Sequence, residues 1–135
     1  MIDPPSSWRA VSLSEVCDRV EKVDPVTTSR ESIRYVDIGS IDGSAHRLTE
    51  VAELLAASAP TRARQVLAAG DTVFSTVRPY LEKIAYIDAS LEGEFASTGF
   101  CVLRPNSEVL PRWLYHFASS RGLLDQVLPH QRGVS

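Results

Sequence analysis

Gly70-Asp71-Thr72-Val73-Phe74-Ser75-Thr76-Val77-Arg78-Pro79-Tyr80-Leu81-Glu82-Lys83-Ile84-Ala85-Tyr86-Ile87 is the stretch whose reading decides the fold. Residues 72–77 are rich in β-branched and aromatic side chains and follow a Gly-Asp turn signal, so they predict a strand entered from a tight turn. Residues 84–87 predict a second strand. Between them Arg78-Pro79-Tyr80 interrupts the pattern, because proline cannot donate to a ladder and biases the residue before it toward extended geometry. The expected result is a stiff corner that presents Arg78, Tyr80 and Lys83.

Upstream of this stretch, Ser12-Leu13-Ser14-Glu15 is a capping-box pattern, and Val11 and Val16 stand at staple positions. Leu13, Val16, Cys17 and Val20 share one apolar face at helical spacing, which predicts an amphipathic helix over residues 13–21. Asp24-Pro25 ends it in a loop. Residues 33–38 are β-prone and run into a Gly39 to Gly43 turn region. Residues 49–57 favour helix by propensity, although Pro60 and its Ser/Thr neighbours also suit an irregular excursion carrying Arg62 and Arg64. Downstream, residues 96–103 predict another strand, closed by Arg104-Pro105-Asn106. Pro111 suits a first helical turn, with Trp113, Leu114 and Phe117 following at spacings of three and four. Ser119-Ser120 and Gly122 break that helix, and Leu123, Leu124, Val127 and Leu128 predict one more helical turn or two, to about residue 128, before Pro129.

This order of elements predicts one α+β domain over residues 1–135, with a curled, mostly antiparallel or mixed sheet over about residues 32–105 and short flanking helices. A chain of 135 residues, 44% hydrophobic and 23% charged, is long enough to bury a core without staples. No apolar run approaches the roughly 18 to 20 residues of a membrane span. The N-terminus shows neither a basic region nor an apolar core of a secretion signal, so the expected location is the cytoplasm. Cys17 and Cys101 have neither metal nor redox spacing and read as buried free thiols. The net charge of −3 argues against a non-specific DNA binder. The cations are unevenly spread, however: residues 61–135 hold 8 basic and 7 acidic side chains, and 12 of the chain's 14 cations are arginine. A GC-rich genome would produce that bias, and so would a need for the planar fork that reads guanine and clamps phosphate.

No catalytic constellation emerges. A nuclease needs clustered carboxylates with a lysine, yet Glu82 and Lys83 are adjacent rather than spaced, and Asp71 has no acidic companion. Asp3-Pro4-Pro5-Ser6 resembles the loop of an amino-methyltransferase, but Ser6 stands where an aromatic residue would stack on a flipped base, and nothing upstream could bind S-adenosylmethionine. Ser75 and Ser97 lack the setting of a hydrolase nucleophile. His46, His116 and His130 are scattered, without ligand spacing. The expectation is a non-enzyme without metal or cofactor.

Several pieces in order carry a resemblance: Trp8 to Val16, Tyr35-Val36-Asp37-Ile38-Gly39, the Gly70 to Lys83 stretch, Ala96-Ser97-Thr98-Gly99-Phe100-Cys101-Val102-Leu103-Arg104-Pro105, and the helix from Pro111 to Ser120. The most specific are Gly-Asp-x-x-Phe-Ser-Thr-Val-Arg-Pro and Ser-Thr-Gly-Phe-x-Val-Leu-Arg-Pro. Over nearly its whole length the chain resembles a target-recognition domain from the specificity subunit of type I restriction-modification systems. That resemblance implies a non-catalytic reader of double-stranded DNA, binding one half of a bipartite target. Methyltransferase (modification) subunits, and through them the restriction subunit, would be its partners. Such subunits hold two recognition domains joined by long helices. Here the sequence ends at Ser135, where relatives run on toward a spacer helix, so a fragment and a naturally short, homodimeric form are both open.

Reading half a site takes a few arginine or amide side chains at base edges and others on phosphates. The candidates are Arg62, Arg64, Arg78, Tyr80, Lys83 and, at the terminal loop, His130, Gln131 and Arg132; Gln131 has the chemistry to pair with adenine. Each is equally suited to a solvated surface or a structural ion pair, and Arg78 to buttressing the fold. The alternative function is an assembly or protein-interaction module on the same fold without DNA reading.

Overall fold

The computed structural model describes residues 12–120 and 123–127. The chain runs α1 (Leu13–Val16), β1 (Cys17–Asp18), β2 (Ser32–Val36), β3 (Ile41–Asp42), β4 (Arg47–Leu48), β5 (Ala52–Leu55), β6 (Ala63–Val66), β7 (Thr72–Ser75), β8 (Ile84–Tyr86), β9 (Phe95–Ser97), β10 (Phe100–Pro105), α2 (Pro111–Ser119) and α3 (Leu124–Val127), with single 3-10 turns between several of them. The strands form two four-stranded sheets, β1-β10-β7-β8 and β5-β2-β9-β6, and a separate β3-β4 hairpin. Every pairing is antiparallel except β2 with β9. The α+β class with a mixed, mostly antiparallel sheet is therefore borne out.

The opening stretch lies at the centre of the first sheet. All four residues of β7 are buried, because β10 and β8 flank it and both of its faces are covered. Strand alternation divides the work. Val73 and its cross-strand neighbours Val102 and Ala85 face the inter-sheet core with Val36, Leu67 and Ala96. Phe74 and Ile84 face the other way, onto Leu114, Ala118, Leu123 and Leu124 of the helical layer. A strand buried on both faces loses the polar alternation that a half-exposed one shows, which is why Val73-Phe74 reads as a continuous apolar pair.

The turn into β7 explains the Gly-Asp signal. Gly70 has φ of 94°, and a Cβ there would sit 3.4 Å from the Pro111 ring, so both conformation and space favour glycine. Asp71 is fully buried. Its two carboxylate oxygens accept Arg104 Nε at 3.0 Å and Nη2 at 2.8 Å, and Oδ2 also accepts the Ala68 amide at 2.9 Å. Arg104 Nη2 reaches the Val66 carbonyl as well, at 2.8 Å. The Gly-Asp and Arg-Pro ends of the two motifs are thus one bidentate pair that locks the start of β7 to the end of β10.

Three expectations change. The helix expected over residues 13–21 is a single turn. Its Ser12–Glu15 capping box forms, with the Ser12 amide donating to Glu15 Oε1 at 3.3 Å, but Asn106 then captures the carbonyls of Glu15 and Val16 at 2.9 and 2.8 Å. Those carbonyls can no longer propagate a helix, and Cys17 and Asp18 pair instead with Pro105 and Arg104. Within the helix-prone residues 49–57, residues 52–55 are strand, because β5 pairs with Ser32–Tyr35 of β2 and cross-strand contact such as Leu54 with Ile33 outweighs propensity. The strand expected over 96–103 is two strands in different sheets. Gln65, buried, holds the crossing open by donating to the Ser97 and Phe100 carbonyls at 2.8 and 2.9 Å.

On α2, Leu114 and Ala118 are buried, whereas Trp113 is 57% exposed and stacks on Phe117 with ring centroids 5.7 Å apart. Cys101 is exposed, unlike the buried thiol expected, and Cys17 is half-buried; both are free. Among the described residues no helix is long and apolar enough to cross a membrane.

Candidate nucleic-acid interface

Three turns meet where β7 ends, β9 passes into β10, and the chain enters β6. Thr76 donates to the Gly99 carbonyl through its amide and its hydroxyl, both at 3.0 Å. The Thr98 amide donates to the Arg62 carbonyl at 2.9 Å, and the Gly99 amide to Ser97 Oγ at 3.1 Å. These bonds fix the turns relative to one another while leaving Thr61, Arg62, Thr76, Val77, Arg78, Tyr80 and Thr98 exposed.

Arg78 is not extended, contrary to the expectation for a residue before proline. It adopts the left-handed region, φ 50° and ψ 62°, and Pro79 then opens a 3-10 turn over Pro79–Leu81. Glu82 closes that turn in the same left-handed region, at φ 52°. Two non-glycine residues in this conformation cost roughly 1–3 kcal/mol each, and they persist where the surroundings over-determine them. The surroundings here are the β3–β4 hairpin. Lys83 Nζ donates to the Ile41 carbonyl at 2.8 Å, and His46 Nε2 lies 3.2 Å from Glu82 Oε1. A Cβ on Gly43 would lie 2.3 Å from the Leu81 carbonyl oxygen, so the hairpin tip lies directly against the turn. Tyr115 on α2 braces the hairpin in turn, donating its hydroxyl to the His46 carbonyl at 2.6 Å.

The candidate side chains divide accordingly. Arg62 and Arg78 are exposed, and neither guanidinium has a polar partner among the described residues. Tyr80 is 45% exposed on the same corner. Arg64 folds back on the chain: Nη1 donates to the Ala63 and Pro60 carbonyls at 3.1 and 3.4 Å, and Nη2 stands 3.8 Å from Asp24. Lys83 is spent on Ile41. His130, Gln131 and Arg132 lie outside the described residues.

Arg62 also forms one wall of an open cleft of about 270 Å³, with Tyr35, Asp37, Ile38, Gly39 and Ser97. The sequence had singled out Tyr35-Val36-Asp37-Ile38-Gly39 as a motif without a role for its carboxylate; nothing short of the β2–β9 pairing could have joined it to Arg62. A second hollow, about 260 Å³, is lined by His46, Arg47, Leu48, Tyr86, Asp88, Arg112 and Tyr115. There the Arg112 guanidinium lies 3.9 Å over the Tyr86 ring, and Tyr86 meets Tyr115 edge-on. Asp88 is held below the ordinary carboxylate range by the Ser90 hydroxyl and amide. Among the described residues no three His, Cys, Asp or Glu side chains are grouped to hold a metal ion.

No family model matches the chain. The specificity subunit of the type I restriction enzyme HindI, from Haemophilus influenzae, is 22% identical over 111 residues, which is 82% of this chain and 24% of that protein. The HsdS subunit from Thermoanaerobacter tengcongensis has a solved structure that matches with a TM-score of 0.88 and 41% identity, over 97% of this chain and 34% of that one. A chain solved for the complex assembly and conformational transition of the type I R-M system matches with a TM-score of 0.91 and 39% identity, over 100% of this chain and 35% of that one. The chain thus spans about a third of the length of these solved relatives and about a quarter of the curated one.

Proposed function

We propose that this chain, which has the sequence and fold of one section of a type I restriction-modification specificity subunit, is a sequence-specific reader of double-stranded DNA. It binds one half of a bipartite target and performs no chemistry itself. Methylation and cleavage belong to partner subunits, and its work is done where the DNA is, in the cytoplasm. The observation that carries this reading is the face where three mutually hydrogen-bonded turns present Arg62, Arg78 and Tyr80. Two unpaired guanidiniums on rigid turns lose little freedom when they engage a base edge or a phosphate, and arginine on guanine O6 and N7 is the commonest specific major-groove contact. Arg64 and Lys83 hold the scaffold in this reading, because their polar ends are already occupied.

The test is selection from random duplexes, with and without the cognate methyltransferase subunit, at two salt concentrations. Wild-type protein enriches one sequence, and Arg78→Ala either relaxes a single position, as a base reader does, or weakens all sequences and flattens the salt slope, as a phosphate contact does. Enrichment of no sequence, even with the partner present, sinks the reading. The second reading, an assembly module without DNA contact, is favoured by the outer face of α2, where Trp113 and Leu110 are 57% and 74% exposed. It predicts stable association with the methyltransferase subunit but no enriched sequence.

A further inference from the structure

The cleft beside Arg62 has a composition unlike a phosphate site. It holds one cation and one anion, and the two are not paired with each other: no ion pair joins Arg62 and Asp37. Asp37 is braced by Ser40, whose hydroxyl donates to Oδ1 at 3.3 Å and accepts the Asp37 amide at 3.0 Å. The Asp37 side chain also accepts the Ser40 amide in a capping box, which fixes the carboxylate at the cleft wall. Tyr35, only 6% exposed, contributes to the wall, with its hydroxyl reachable by solvent. Ser97, 5% exposed, completes that wall, and its hydroxyl is engaged by the Gly99 amide.

A carboxylate repels phosphate and can only accept hydrogen bonds, whereas a guanidinium can only donate them. The occupant must therefore offer a donor close to an acceptor, and the planar fork of arginine is best met by two acceptors on one base. On the major-groove edge, a C·G pair offers the cytosine N4 amine beside guanine O6 and N7. An A·T pair does not, because its acceptors are divided between the two bases and no single base gives the arginine fork two of them. Resting on the DNA-reading function proposed above, we infer that this cleft reads one C·G base pair, with Arg62 donating to guanine and Asp37 accepting from cytosine, and that Asp37 is a specificity-determining residue.

Selection from random duplexes, run on the protein together with its methyltransferase subunit, tests this with wild type, Arg62→Ala, Asp37→Ala and Asp37→Asn; Asp37→Asn keeps the side-chain shape and the contact with Ser40. Wild type should require C·G at one position, and all three variants should lose about tenfold or more of the discrimination at that same position. The salt slope should be unchanged in both Asp37 variants, since a base acceptor releases no counterion. Substituting 7-deazaguanine for the guanine at that position should weaken wild type and leave Arg62→Ala indifferent. Thermal melts separate a folding loss from a reading loss, and retained C·G discrimination in a folded Asp37→Asn protein overturns the inference whatever Asp37→Ala does. So does an equal gain of affinity for every sequence in the Asp37 variants, which marks Asp37 as a neighbour of phosphate, or relaxation at different positions in the Arg62 and Asp37 variants. Wild type that enriches a sequence which all variants also enrich removes only the cleft assignment. Wild type that enriches nothing removes the DNA-reading function and the cleft assignment together.

Discussion

Asp71 and Arg62 show how differently two charged residues nine positions apart are used. The Asp71 carboxylate is 0% exposed and survives there only because Arg104 meets it with two parallel hydrogen bonds and Ala68 adds a third. Asp71 and its neighbours hold the Arg104 guanidinium above its ordinary value, the hydrogen bond with Asp71 being the main cause. Removing one partner of such a pair leaves an uncompensated charge, which costs about 3–5 kcal/mol; Arg104, with its side chain 22% exposed, can partly rehydrate, so Asp71→Ala falls at the lower end. Differential scanning calorimetry should show a fall in the melting midpoint of roughly 10 °C. A fall of only a degree or two would mean that the pair does not tie β7 to β10. Arg62, by contrast, holds nothing in place with its side chain, and its truncation leaves stability within about 0.5 kcal/mol while altering DNA binding.

At the scale of the element, the 3-10 turn over Pro79–Leu81 is a strained corner held by a separate hairpin. Gly43→Ala places a methyl group 2.3 Å from the Leu81 carbonyl, so either the hairpin or the turn must move, at a cost of about 1–3 kcal/mol. Amide exchange should rise at Leu81 and Glu82, whose amides donate to Arg78 and Pro79, while the β7 and β10 amides stay protected. Uniform loss of protection across the sheet would show that the hairpin supports the fold rather than the corner. The same element shows what was legible in the sequence. Strands over 72–75 and 84–86 and the helix from Pro111 could be read because their burial is periodic or their punctuation strong. The left-handed Arg78 could not be, because proline's local bias points the other way and only the hairpin's contacts reverse it. For the same reason the single-turn α1 and the strand β5 escaped: Asn106 and β2, which decide them, are distant in sequence. The Gly-Asp and Arg-Pro motifs were visible as motifs, but their union as one ion pair required the β7–β10 register. Of the candidate site, Arg62, Arg78 and exposed Tyr80 were named from residue chemistry, whereas the placing of Asp37 and Arg62 on the walls of one cleft needed the parallel meeting of β2 and β9.

At the scale of the whole molecule, a net charge of −3 has to be reconciled with the polyanionic partner proposed above. The resolution lies in where the cations are free. Among the described residues Arg30 is tied to Glu94, Arg64 to Asp24, Arg104 to Asp71 and Lys83 to a carbonyl, and Arg112 lies on a tyrosine ring. Arg19 and Lys22 are likewise exposed without a side-chain partner among the described residues, and the proposed face adds Arg62 and Arg78, one of them assigned to a base. Each phosphate neutralised contributes about 0.9 to the slope of log affinity against log salt, so the chain alone should bind DNA weakly with a slope of about −1 to −3. Adding the methyltransferase subunit should steepen that slope while leaving the preferred sequence unchanged, because the partner then supplies phosphate contacts and this chain supplies base contacts. Fluorescence anisotropy across a salt series, with one duplex of the selected sequence and one scrambled, measures both quantities at once. A steep slope for the chain alone, or a preferred sequence that changes with the partner, would mean that affinity and specificity are not divided between the two proteins in this way. Under the proposed function, that division would let an acidic domain read DNA: the assembly would carry the Coulomb attraction, and the domain would need only rigid turns and a few unpaired groups to choose among sequences already held close.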